Sequence, residues 1–228
     1  MRPSPLPLDV LVTGGTGYVG RPLVASLVAR GHRVRVLCRP ESRSRVPAGA
    51  LAIDGDALAA TSIAAAAVDD GTLVHLVGTP HPNPSKAAEF ERVDIASIRA
   101  SIAAARASGI AHLVYVSVAQ PAPVMRAYVE ARSRGEDAIA QSGLTATIVR
   151  PWYVLGPGHR WPMLLVPVAK LLEWLPWTRD AARRLGFVTL GQMVTALVHA
   201  IEHPPAPAER RIVEVPAIRA ARVDQDRD

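Results

Sequence analysis

The chain of 228 residues is 49% apolar, enough for one domain with a real core and too much for a chain that is disordered throughout. Only Lys86 and Lys170 among its 26 basic residues are lysines, and neither stands in a Gly-Lys-Ser/Thr run or beside a motif that would support Schiff-base chemistry, so a P-loop is excluded. The formal charge of +6 comes from arginines scattered from Arg2 to Arg227, which a phosphate-bearing cofactor would satisfy without nucleic acid, and the lone Cys38 excludes an internal disulfide and fits a reducing cytoplasm.

Met1 to Leu8 holds three prolines and no apolar run of signal-peptide length, so it reads as a short lead-in. Val10 to Thr13 is a strand ending in glycines, and Val19 to Arg30 carries apolar residues at helical spacing until Gly31. Val34 to Cys38 follows as a second strand, which completes a first βαβ unit. Leu51 to Ile53 reads as strand, Ala57 to Val68 as helix, Leu73 to Val77 as a buried strand, and Pro80 to Pro84 as a turn-rich loop. Ser85 to Ser108 is expected to be one long helix, His112 to Ser117 a fifth strand, Val124 to Gln141 a helix and Thr145 to Val149 a sixth strand.

This alternation predicts an α/β fold with a doubly wound parallel sheet over residues 9–150, because parallel neighbours need a helical crossover. After Arg150 the texture changes: all four tryptophans and many prolines lie there, which predicts a small C-terminal region over 151–228 on the substrate side. It carries a helix near Leu190 to His203 and a last strand near Arg211 to Val215. The apolar stretch Trp161 to Trp177 is interrupted by Pro162, Pro167, Lys170, Glu173 and Pro176, so a spanning helix is not expected. Within it, Leu164 to Leu175 suits core packing, a partner helix, a membrane surface or a hydrophobic substrate.

Thr13-Gly14-Gly15-Thr16-Gly17-Tyr18-Val19-Gly20 lies between strand and helix, the context in which a glycine pattern signals phosphate binding. Gly14 suits a tight turn, Gly17 the approach of a pyrophosphate to the backbone, and Gly20 close packing of helix on strand. The helix N-terminus, with Thr16, Tyr18 and Val19 beside it, offers unpaired N–H groups to the phosphates.

The Gly14, Gly17, Gly20 spacing resembles the TGxxGxxG signature of extended and atypical short-chain dehydrogenase/reductases. Gly55-Asp56, Val114-Tyr115-Val116-Ser117, Tyr128, Gly135-Glu136 and Ile148-Val149-Arg150-Pro151 agree with it, and the likeness is to the atypical branch that includes NmrA-like proteins and the complex I 39-kDa subunit. The resemblance covers about residues 9 to 160. It implies a nicotinamide dinucleotide. NAD enzymes place an acidic residue at the end of the second strand, where this chain has Arg39 followed by Arg43 and Arg45, so NADP is favoured over NAD. Solvated surface arginines are the plainer account of the same residues. Asp56 is implied near the adenine, although it equally suits capping of the next helix.

The resemblance also implies a Ser, Tyr, Lys catalytic set. Ser117 and Tyr128 stand in matching places, but the lysine place, four residues after Tyr128, holds Arg132. A guanidinium supplies a fixed positive charge to favour tyrosinate, yet it is bulkier than an ammonium and does not release a proton readily. Two functions follow: an NADPH-dependent oxidoreductase acting on a small hydrophobic carbonyl-type substrate, or a nucleotide-binding redox sensor or assembly factor without catalysis. Thr79 and Pro151 leave the carboxyl ends of their strands where the cofactor runs. Tyr153 and His159 are substrate-pocket candidates, with core packing of the neighbouring Trp152 and Trp161 the competing account. His199 and His203 have a zinc-compatible spacing without HExxH, so no metal is expected.

Overall fold

A computed structural model describes residues 6–122, 124–157 and 185–221. Among these, seven strands form one wholly parallel sheet in the order β3-β2-β1-β4-β5-β6-β9. They are β1 (Asp9–Thr13), β2 (Arg33–Cys38), β3 (Leu51–Asp54), β4 (Thr72–His75), β5 (His112–Val116), β6 (Ala146–Arg150) and β9 (Arg210–Glu214). The order reverses between β1 and β4, the crevice where such sheets bind ligands beyond the strands' carboxyl ends.

Alternate side chains of each strand divide between two cores. Val10, Val12, Val36, Val74, Val114 and Val149 face α1 (Gly20–Ala29), α6 (Leu190–Glu202) and α7 (Val215–Ala220). Leu11, Leu37, Leu73, Leu113 and Ile148 face α2 (Ala60–Ala66), α4 (Ala96–Ala107) and α5 (Arg126–Ser142). Burial on both faces explains why the strands read as continuous apolar runs.

The expected long helix over Ser85 to Ser108 is divided. A 3₁₀ turn (Pro84–Lys86) leads into α3 (Ala87–Glu89), a π-helical stretch (Phe90–Ile95) and α4. The fourth strand stops at His75 rather than Val77, and α2 starts at Ala60 rather than Ala57, because Asp56 accepts from the Leu58 amide at 2.9 Å and holds a turn there. Asp56 therefore does not cap α2, whose preceding residue is Ala59.

The parallel sheet does not end at residue 150. β9 pairs with β6 from Ala146↔Arg210 to Arg150↔Glu214, so residues after the change in texture supply its seventh strand. A second small sheet, absent from the sequence expectations, pairs β7 (Tyr153–Leu155) with β8 (Phe187–Thr189), and the short helix α7 was likewise unforeseen. The Thr189 hydroxyl and Gln192 side chain form a reciprocal capping box at the start of α6. Glu202 at its end takes Arg30 at 2.6 and 2.8 Å and His32 at 3.0 Å, tying α6 to the α1–β2 connection. His159 and the stretch Trp161 to Trp177, including Leu164 to Leu175, lie outside the described residues.

Candidate functional site

Thr13 ends β1 fully buried, and Gly14 turns the chain with φ +77. The turn lies against the chain leaving β4: a Cβ on Gly14 would stand 2.9 Å from the Leu76 carbonyl carbon. The Gly17 amide donates to the Gly14 carbonyl at 3.0 Å. A Cβ on Gly20 would lie 2.2 Å from that same oxygen, so only glycine lets α1 start this close to the strand. The residue before α1, Val19, supplies no side-chain cap, and the first turn contains no acid. An uncapped, acid-free helix N-terminus behind a glycine turn fits the pyrophosphate of a dinucleotide.

A cleft of about 790 Å³ opens beside the turn and is lined in part by Thr16, Gly17, Tyr18, Arg21, Ser44 and Arg45. Arg39 and Arg43 are exposed and lie beside Glu41 at 3.3 Å and Asp54 at 3.0 Å. Exposed pairs of this kind are weak, so both guanidiniums are free to turn towards a phosphate. Arg45 is held by the Ser42 hydroxyl at 2.9 Å. Arg21, which lines the cleft one residue into α1, was missed because it falls inside a helical pattern after the glycine motif.

The three residues that match the family's catalytic set receive different partners. Tyr128 packs its ring on Phe90 at 5.3 Å between centroids, with the Arg132 guanidinium over its face, also at 5.3 Å. Arg132 is buried; it pairs with Asp94 at 2.8 Å and donates to the Val116 carbonyl at 3.0 Å, and at 3.5 Å to the Val77 carbonyl and the Tyr115 hydroxyl. Burial opposes its charge, but Tyr128, Tyr115 and Asp94 outweigh burial and hold its pKa above the ordinary arginine value. Its Nε has no hydrogen-bond partner among the described residues.

Ser117, buried at the end of β5, donates to Glu136 Oε1 at 2.5 Å. Glu136 also accepts from Gln120 at 2.8 Å and from Nε of Arg150 at 3.0 Å, while Nη2 of Arg150 meets its other oxygen. Tyr128, Arg132 and Glu136 follow one another at four-residue steps on α5, so they share a stripe. Glu136 belongs to the quoted Gly135-Glu136 pair, but its engagement of Ser117 could not be inferred from spacing. Asp94 was missed altogether, because nothing in a helical run distinguishes an inward carboxylate from a solvated one.

Thr79 is buried and directs both its amide and its hydroxyl to Asp94 Oδ2, at 3.0 and 2.6 Å. Pro151 is buried, and its carbonyl accepts from the Ala119 amide at 2.9 Å. Tyr153 meets Phe187 edge-on at 6.2 Å in the small sheet, and Tyr18 packs where a Cβ on Gly156 would lie 2.2 Å from its hydroxyl. The rings of His199 and His203 stack at 4.3 Å. Among the described residues no group of three or more His, Cys, Asp or Glu is placed to hold a metal, and no helix is long and apolar enough to cross a membrane.

The sheet, its switch point and the glycine turn define a dinucleotide-binding fold. The chain belongs to the NAD(P)H-binding family, which matches residues 14–159. It is 30% identical over 176 residues to ceramide reductase of Caulobacter vibrioides, covering 76% of this chain and 55% of that protein. To the 3-diazoavenalumate denitrifying reductase of a Streptomyces species it is 31% identical over 221 residues, covering 86% and 72%. A ketoreductase of Stigmatella aurantiaca, named for a farnesyl-bearing dihydroquinoline oxide, is 29% identical over 216 residues, covering 84% of this chain and 61% of the ketoreductase. The chain thus spans little more than half the length of two of these relatives. Among solved structures, a short-chain dehydrogenase/reductase superfamily protein from Agrobacterium tumefaciens with bound NAD matches with TM-score 0.65 at 18% identity, covering 90% of this chain and 76% of that one. A UDP-galactose 4-epimerase matches with TM-score 0.67 at 21% identity, covering 90% and 76%. At these identities the structures establish the fold.

Proposed function

We propose that the protein is an NADP(H)-dependent oxidoreductase that reduces a small, hydrophobic carbonyl-type substrate. The observation that carries this reading is the glycine-closed, uncapped helix N-terminus facing the end of β4, with arginines at the adjoining strand end and cleft. Bound NADPH would supply the hydride for the reduction. The turn at Gly14, Thr16, Tyr18, Val19 and Gly20 would hold its pyrophosphate at the start of α1, with Gly17, whose own amide closes the turn on Gly14, leaving room for its approach. Arg39 and Arg43 take the 2′-phosphate and Asp56 the adenine side, while Thr79 and Pro151 border the nicotinamide half.

Tyr128 would deliver the proton to the substrate oxygen, with the Arg132 guanidinium lying over its ring. Ser117 polarises the carbonyl only after its hydroxyl leaves Glu136, so substrate entry has to compete with a buried, charge-assisted hydrogen bond. Tyr153 borders the substrate. The names of two relatives, a ceramide reductase and a farnesyl-compound ketoreductase, favour a lipophilic substrate. The engagement of Ser117 by Glu136 favours a second reading, a nucleotide-binding sensor or assembly factor without turnover.

One titration series separates them. NADPH is expected to bind more tightly than NADH, Arg39→Asp to narrow that preference, and a panel of hydrophobic ketones to oxidise NADPH in a manner abolished by Tyr128→Phe. NADPH binding without oxidation by any ketone, and with no effect of Tyr128→Phe, would leave the sensor reading; an unchanged preference in Arg39→Asp would remove the assignment to NADP.

A further inference from the structure

Four features converge beneath the end of β4. Asp94, in the π-helical stretch, is 1% exposed, and its Oδ2 accepts from both the amide and the hydroxyl of Thr79. Its Oδ1 meets Arg132 Nη2 at 2.8 Å. Arg132 in turn reaches the Val77 and Val116 carbonyls, the first after β4 and the second at the end of β5. Gly78 leaves the necessary room: a Cβ there would lie 1.9 Å from Arg132 Nη2 and 3.1 Å from Asp94 Oδ1. A π-helical stretch widens the helix and commonly marks a functional position.

We propose that Asp94 and Arg132 form a buried positioning pair that sets residues 77–79 for the nicotinamide half of the dinucleotide, with Asp94 as its organising residue. The inference rests on the proposed cofactor site and adds Asp94 to it. The same short segment also lies against the phosphate turn, since a Cβ on Gly14 would stand 2.9 Å from the Leu76 carbonyl carbon and 3.1 Å from the Val77 nitrogen. Two charges removed from water need additional hydrogen bonds, which Thr79 gives to Asp94 Oδ2 and Arg132 gives to the strand-end carbonyls. The role of Arg132 is thereby partly separated from that of the lysine it replaces: its guanidinium is committed to protein atoms on the Asp94 side while its face lies over Tyr128.

The test compares two ligands on the full chain. NADPH spans both halves of the site, whereas adenosine 2′,5′-bisphosphate occupies only the adenosine half. Asp94→Asn leaves a buried guanidinium without its counter-charge and is prone to misfold, so the decisive variant is the neutral pair Asp94→Asn with Arg132→Gln. Calorimetry is expected to show NADPH affinity reduced about tenfold or more, the scale set by displacement of binding groups, while bisphosphate affinity changes by less than about twofold. Gly78→Ala, which pushes on the guanidinium without altering charge, should give the same split.

Equal weakening of both ligands would mean general loss of structure and overturn the proposal, as would wild-type affinity for both in the neutral pair. If the wild-type chain binds the bisphosphate but NADPH no better, the nicotinamide half is unused and this inference fails while adenosine-side binding stands. If it binds neither, the cofactor reading itself fails and takes the inference with it.

Discussion

Acid stability should be governed to a large extent by two histidines inside the sheet. His75 at the end of β4 is fully buried; its Nδ1 meets Ser101 at 2.9 Å and Thr13 at 3.3 Å, and its Nε2 meets Ser97 at 3.3 Å. Burial, reinforced by the Arg132 charge, lowers its pKa from 6.5 to about 3. His112, bonded to Thr147 at 3.0 Å, is lowered to about 4, again mainly by burial and secondly by Arg211. Between these folded values and 6.5 the unfolded chain takes up a proton that the folded chain refuses, so stability is full above about pH 6.5 and is lost as pH falls. From about pH 7.5 to 5 each histidine should remove about 2 kcal/mol, a large part of a domain's usual stability. Urea unfolding followed by tryptophan fluorescence at several pH values measures the loss. His75→Gln keeps a hydrogen-bonding side chain without the titration, so its absolute stability falls, but its decline over this range should be shallower by about 2 kcal/mol. A His75→Gln pH profile parallel to that of the wild type would refute the assignment of a neutral buried ring.

Two further outcomes concern the glycine turn and the end of α6. Gly20→Ala forces a methyl towards the Gly14 carbonyl and the Gly15 backbone, neither of which can turn aside, and should cost about 1–3 kcal/mol in urea unfolding while abolishing measurable NADPH binding in calorimetry. Glu202→Gln removes the carboxylate that gathers Arg30 and His32; hydrogen bonds from these two outweigh burial and hold its pKa below the usual value, so the loss should be about 1–3 kcal/mol, seen as a lower urea midpoint at neutral pH.

The alternation of apolar runs with helical patterns was legible because burial on both faces of a parallel strand and on one face of a helix leaves different periods in the chain. The glycine turn was legible for a related reason: where a Cβ would lie 2.2 Å from another residue's carbonyl oxygen, as one on Gly20 would from Gly14, no side chain is tolerated. The likeness between Arg132 and a catalytic lysine was visible at the level of spacing along α5. Its commitment to Asp94 was not, since the pair joins α5 to a helical stretch 38 residues earlier whose π-helical turn has no local signature.

By itself, then, the sequence determined what is local: which segments become strands and helices, where phosphate N–H groups are offered, and which residue types follow the strand ends. Only the tertiary structure decided which charges face each other. It placed β9 beside β6 across the change in texture, drew Ser117 to Glu136, and closed Asp94, Thr79 and Arg132 into one buried cluster. A buried charge takes whatever partner the packed elements bring within reach, and that partner is chosen by how helices seat on the sheet rather than by distance along the chain.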